Sequence, residues 1–251
     1  MHLHDANCAV GPWPTAQPLY ETVSELLAEM ERLGIDRALV SHTTARTFDP
    51  PQGNRRLMQE IAGHAQLEPC WTLLPPSTGE MGTVEELMGA MAEVGVRAVR
   101  LYPSEHTFSL DEWQCGELWA ALAARRYLVL IDLAETDWST VERICRTHPG
   151  LSLLLTWTGY RQLRPLFALL ERCPNLYCDL SNYSTYLGVE ETLARFGSGR
   201  LLFGTGMPAA DPGGPIARLC YTDAPAADLE AMGHGNLERL LAQVQLEGAS
   251  A

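Results

Sequence analysis

The sequence predicts an α/β fold, a single (β/α)8 barrel. Three observations lead there. Eight short apolar segments recur along the 251 residues at intervals of roughly 25–30, the length of one strand–loop–helix–loop unit. Most are continuous apolar runs, not alternating ones, as parallel strands buried on both faces require. Glycine and proline gather after the segments, at Pro75-Pro76, Pro103, Gly159, Pro208 and Pro212-Gly213-Gly214-Pro215. The competing arrangement is an open, doubly wound sheet, but no G-x-G-x-x-G motif follows the first strand. Eight units in a chain of this size favour the closed barrel, as one domain over residues 1–251.

In chain order, the strands are expected at Leu3–Val10, Arg37–Ser41, Glu68–Leu73, Ala98–Tyr102, Leu128–Leu133, Leu151–Thr156, Asn175–Leu180 and Arg200–Gly204. Helices fill the intervals. Thr22–Leu33 carries Leu26, Leu27, Met30 and Leu33 at helical spacing, and Gly34 follows as a C-cap. Val84–Val94 places Leu87, Met91 and Val94 on one face, with Gly95 after it. Leu118–Arg125, Thr140–Thr147 and Leu163–Glu171 continue the series, and Leu229–Val244 ends it.

Composition narrows the functional classes. The formal net charge of −13 comes from 18 basic and 31 acidic residues, which disfavours nucleic acid and anionic membrane surfaces as partners. No segment approaches the roughly 20 apolar residues that span a bilayer, and the first residues lack the pattern of a signal peptide. The seven cysteines are scattered with no C-x-x-C pair. Reduced, mostly buried thiols in a cytoplasmic protein are expected. A small-molecule ligand is the expected partner; homo-oligomerisation is left open.

In a barrel, chemistry sits at the C-terminal strand ends and the loops after them. Those positions carry a set of motifs: Asp5-Ala6-Asn7-Cys8-Ala9-Val10-Gly11, Arg97 to Pro103, Leu153-Leu154-Leu155-Thr156-Trp157-Thr158-Gly159, Pro174 to Ser181, Leu201-Leu202-Phe203-Gly204-Thr205-Gly206-Met207-Pro208, and Gly235 to Leu241. In this order and spacing the chain resembles the amidohydrolase superfamily, in the branch called amidohydrolase family 2, which includes metal-dependent hydrolases and non-oxidative decarboxylases. The resemblance implies a TIM barrel. It also implies a divalent metal held by two histidines on strand 1 and by histidines ending strands 5 and 6, with an aspartate ending strand 8 as the acid/base.

This chain departs from that pattern at every one of these positions. The strand 1 places hold Asn7 and Ala9, the strand 5 place Asp132, the strand 6 place Trp157 and the strand 8 place Gly206. Alanine and glycine have no donor atom, and an indole offers only an N–H. Asn7 and Asp132 alone keep oxygen lone pairs, too few for a tight transition-metal site. The expectation is no metal at this site and no cofactor. The His2-Leu3-His4 pair also spells H-x-H, but the Asp5-to-Gly11 spacing puts Asn7 and Ala9 in the ligand register. His2 and His4 are therefore expected at the surface.

Several polar groups are expected to converge at the mouth. Asp132 is the candidate acid/base, unless Arg100 on the neighbouring strand pairs with it. His42 is the second catalytic candidate, with a loop-capping histidine as its alternative. Asn7, Arg100, Tyr102, Trp157, Asn182 and Tyr183 are the candidate substrate-binding residues. Trp71, Trp157 and Tyr102 are expected to fill volume that a metal site would occupy. Three readings stay open: a metal-independent hydrolase or lyase using Asp132, a non-catalytic ligand-binding or accessory relative (a pseudoenzyme), and a hydrolase with a relocated metal site built from Cys8, His42 and Asp132.

Overall fold

The computed structural model describes residues 1–14 and 18–246. Eight parallel strands pair in sequence order: β1 (His4–Val10), β2 (Arg37–His42), β3 (Leu67–Thr72), β4 (Ala98–Leu101), β5 (Leu128–Asp132), β6 (Ser152–Thr156), β7 (Leu176–Asp179) and β8 (Leu201–Leu202). Backbone hydrogen bonds from Ala6 N to Phe203 O and from Gly206 N to Asn7 O, each 2.8 Å, carry the segment after β8 back onto β1. The result is a (β/α)8 TIM barrel.

Each expected strand is present within one or two residues of its expected bounds. The first helices are α1 (Val23–Leu33), α2 (Thr43–Thr47), α3 (Pro50–Glu60) and α4 (Val84–Glu93). They are followed by α5 (Glu112–Ala124), α6 (Trp138–Thr147), α7 (Leu163–Arg172) and α8 (Gly188–Phe196). The chain continues through α9 (Gly213–Cys220) and α10 (Ala226–Glu230), then a π-helical turn over Ala231–Gly235, and α11 (Asn236–Ala242). Local chemistry sets the ends. Thr22 caps α1 in a reciprocal box with Glu25, and Gly34 ends the helix in the left-handed region at φ +70°. Asp49 and Asp137 cap α3 and α6. The C-terminal helix expected over Leu229–Val244 is present as one continuous helical run, Ala226–Ala242, with a π-helical turn inside it where Gly233 lies against the His2 carbonyl.

The apolar core has two layers. Residues facing the barrel axis, including Ala6, Leu39, Ala98, Leu130, Leu154 and Leu202, cluster with Leu237, Leu240 and Leu241 of α11. That helix thus closes the barrel floor, opposite the mouth. A second layer packs the outer strand faces against the helices, with Trp119, Leu26, Met91 and Leu118 fully buried there. His4 corrects the expectation of a surface residue. It opens β1, is buried, and sets Nε2 3.2 Å from Glu68. The seven cysteines are free thiols, six of them buried and Cys220 exposed. Among the described residues, no helix is long and apolar enough to cross a membrane.

Candidate functional site

The strand ends and their loops enclose a cavity of about 400 Å³. Its wall includes Asn7, Ala9, Asp132, Trp157 and Gly206, so these five positions surround one space. Arg46, Arg100, Tyr102, Trp13 and Asn182 supply much of the remaining polar and aromatic lining.

Arg100, on β4, joins groups from several strands. It is 5% exposed. Its Nη2 donates to Asn7 Oδ1 at 2.6 Å and to Thr156 Oγ1 at 3.4 Å, and lies 3.6 Å from Asp132 Oδ1. Its Nη1 donates to the Tyr102 hydroxyl at 3.3 Å. Burial opposes the charge, but the Tyr102 oxygen and the Asp132 carboxylate outweigh it and hold the guanidinium above its ordinary pKa. Burial also raises the Tyr102 phenol, so the hydroxyl stays protonated.

Asp132 ends β5 with its two oxygens in different settings. Oδ1 accepts the Thr156 hydroxyl and faces Arg100. Oδ2 lies 3.9 Å from Arg46 Nη1, beyond hydrogen-bond reach. Arg46, on α2, grips Glu105 through Nε and Nη2 at 2.7–3.0 Å. Its guanidinium lies over the Tyr102 ring at 4.8 Å and near the Trp13 ring at 5.6 Å.

Beneath this layer lie two more carboxyls. Asp179 on β7 is fully buried and accepts from Asn7 Nδ2 at 2.8 Å, Ser181 Oγ at 2.9 Å and Trp157 N at 3.3 Å. Burial pushes it up to about 7, against the pull of those hydrogen bonds. Asp5 accepts from Asn7 N and Thr205 N, both at 2.9 Å, and burial raises it too. Asn7 is therefore held on three sides, its carbonyl by Arg100, its amide by Asp179 and its backbone by Asp5.

Gly206 and Trp157 are sterically linked. Gly206 has φ +77°, and a Cβ there would stand 2.6 Å from Trp157 Cζ2. Trp157 itself sits at φ +55°. The indole occupies the space that any side chain at 206 would enter.

The cavity thus gathers Asp132, Asn7, Arg100, Tyr102, Trp157 and Asn182 from the expected site. It does not gather His42 or Tyr183. His42 caps α2, accepting from Thr44 N at 3.0 Å through Nδ1, with Nε2 3.4 Å from Glu60. Gly11 packs directly against its ring, and burial lowers its pKa. Tyr183 turns into the core and bonds Thr192 Oγ1 at 2.6 Å. Trp71 packs against the helix-side core and does not line the cavity. Cys8 points its thiol to Leu39 O at 3.7 Å, so Cys8, His42 and Asp132 form no common cluster. Arg46, Trp13 and Asp179 were not anticipated. Only Asp179 carried a signal, as a carboxylate inside an otherwise apolar strand.

The comparisons with known proteins agree with this architecture. No curated protein matches the sequence. Among solved structures, the chain is similar to an uncharacterised TIM-barrel protein from Bordetella bronchiseptica, with a TM-score of 0.74 and 17% identity over 97% of this chain and 99% of the other. It is similar to the 2,6-dihydroxybenzoate decarboxylase from Rhizobium, with a TM-score of 0.74 and 15% identity over 96% and 98%. It also resembles the 5-carboxyvanillate decarboxylase from Sphingomonas paucimobilis, with a TM-score of 0.71 and 14% identity over 97% and 99%. Identities this low speak for the fold alone. The family model described as amidohydrolase, however, matches residues 1–242, nearly the whole chain, and together with the motifs at the strand ends it places the protein in amidohydrolase family 2.

Proposed function

We propose that this barrel works without a divalent metal at its mouth, as a hydrolase or lyase acting on a small organic anion, with the Asp132 carboxylate as acid/base. The observation that carries the reading is the position of Arg100. The two oxygen donors left among the family's ligand positions both face its Nη2, Asn7 Oδ1 at 2.6 Å and Asp132 Oδ1 at 3.6 Å. These residues do not fit a divalent ion. Such an ion about 4 Å from the guanidinium would meet a repulsion of about 8 kcal/mol at an effective dielectric constant near 20.

The charge on the wall supports an anionic substrate. Arg46 and Arg100 line the cavity with one carboxylate, Asp132, between them. A substrate oxyanion would lie against the two guanidiniums, of which Arg46 also pairs with Glu105, and Trp13, Tyr102 and Trp157 offer flat walls for its body. Asp132 Oδ1 is fixed by Thr156 and Arg100, which leaves Oδ2 to take a proton from the substrate or from a water. The guanidiniums stabilise negative charge that develops nearby.

A second reading, a non-catalytic ligand-binding relative, is favoured by the same ion pairs, because a carboxylate set between two guanidiniums also suits a structural role. One experiment separates the two. The protein is incubated with a panel of small carboxylates, and their loss is followed by NMR. Turnover that vanishes in Asp132→Asn, with binding retained, is the expected result. Binding without turnover in the wild type selects the non-catalytic reading. A stoichiometric zinc, manganese or iron lost in Asp132→Asn sinks the metal-free site.

A further inference from the structure

A different cluster lies at the barrel floor. Among the described residues, His2, His234 and Glu238 are the one group of three metal-ligating side chains whose donor atoms all fall within 4.8 Å of one another. His2 leads into β1, His234 sits in the π turn, and Glu238 lies one turn further on in α11. We propose that these three side chains bind a divalent transition ion of the zinc class, which ties the segment before β1 to the helix that closes the floor.

The geometry prepares His2 for this. Its Nδ1 lies 2.8 Å from Asp36 Oδ2. Its Nε2 lies 3.8 Å from Glu238 Oε1. A carboxylate beside one ring nitrogen, with the other nitrogen turned toward a second carboxylate, is the arrangement common around metal-ligating histidines. His234 presents Nδ1 3.2 Å from Glu238 Oε2, an i,i+4 pair on one helical face. The two imidazoles meet edge to face with centroids 4.9 Å apart.

The donor chemistry selects the ion. Two imidazoles and a carboxylate suit zinc, copper or nickel and disfavour magnesium and calcium, which need more oxygens. Ligand atoms around a tetrahedral zinc stand roughly 3.3 Å apart for bonds of about 2.0–2.1 Å. The side chains are between a quarter and two-fifths exposed, so they can close that distance by rotation, with water in the fourth position. One guanidinium competes: Arg37 Nη1 lies 4.0 Å from Glu238 Oε1, but the same group is anchored on Glu68 at 2.6 Å. The site stands at the opposite end of the barrel from the cavity and does not depend on the reaction proposed there.

The test is calorimetric titration of untagged full-length protein with zinc ion alone, with a cobalt titration read by its ligand-field absorption. One zinc per chain, tetrahedral cobalt absorption, and affinity falling at least tenfold in both His234→Ala and His2→Ala are the expected results. Asp132→Asn, at the other end of the barrel, leaves the titration unchanged. Absence of saturable zinc binding overturns the proposal, as does binding that survives both histidine variants. Binding that disappears in Asp132→Asn places the ion at the mouth, which overturns this proposal and the metal-free mouth together.

Discussion

Gly206 and Trp157 make a measurable pair. The cleanest perturbation is Gly206→Ala, which adds only the Cβ that would stand 2.6 Å from Trp157 Cζ2 and 3.2 Å from Cε2 and Cη2. Overpacking of this kind costs about 1–3 kcal/mol. The left-handed backbone at φ +77° adds about 1–2 kcal/mol for a residue with a side chain. The single variant is therefore expected to lose about 2–5 kcal/mol. Trp157→Ala removes the obstacle but not the backbone cost. The double variant is thus expected to be more stable than the sum of the two singles by about 1–3 kcal/mol. Urea denaturation of all four proteins measures this coupling. Additivity within about 0.5 kcal/mol would show that the indole does not exclude a side chain at 206, and the steric link between the two positions would be wrong.

Three further outcomes are expected. Burial holds Asp179 up to about 7, while its unfolded value is about 4. The folded carboxyl keeps a proton that the unfolded chain releases, so this group's contribution to stability falls as pH rises from about 4 to about 7 and is level above that. Asp179→Asn should remove that slope relative to the wild type, and parallel stability profiles would refute the assignment. Asn54 pairs both backbone groups of Thr72, at 2.8 and 2.9 Å, so Asn54→Ala should cost about 2–5 kcal/mol in denaturation experiments. Cys220 alone should react quickly with a thiol reagent under native conditions, since the other six thiols are buried; fast labelling of a second cysteine contradicts that burial.

Most strands were legible because they are continuous apolar runs, and burial on both faces leaves little room for other residues. Four helices were not: the five-residue α2, α3, α8 and α9. The α3 segment reads Pro-Pro-Gln-Gly-Asn-Arg-Arg, too polar to display an apolar stripe. It forms because Asp49 caps it, and because Gly53 lets its backbone press against Ala45, where a Cβ would lie 2.1 Å from the amide nitrogen. The α8 and α9 helices start at glycines, with no side-chain cap to announce them. At the mouth, the period of two along β1 placed Asn7 and Ala9 on the cavity side. The same reasoning has no purchase on Arg46, which enters from a helix, or on Trp13, which enters from a loop. Position at a strand end was insufficient for His42, because its ring nitrogen is spent on capping α2.

Arg100 has a consequence for the kind of chemistry this barrel can host. A cation bonded covalently to a strand cannot be chelated, exchanged for another ion or diluted away, so its occupancy does not depend on the cell's supply. It also carries one charge instead of two, and it cannot take a water molecule into its coordination and acidify it. A mouth organised around it would activate water only through the Asp132 carboxylate acting as base. On the function proposed above, it suits substrates that already carry the electrons to be moved, with Arg100 steadying the charge and Asp132 handling the proton.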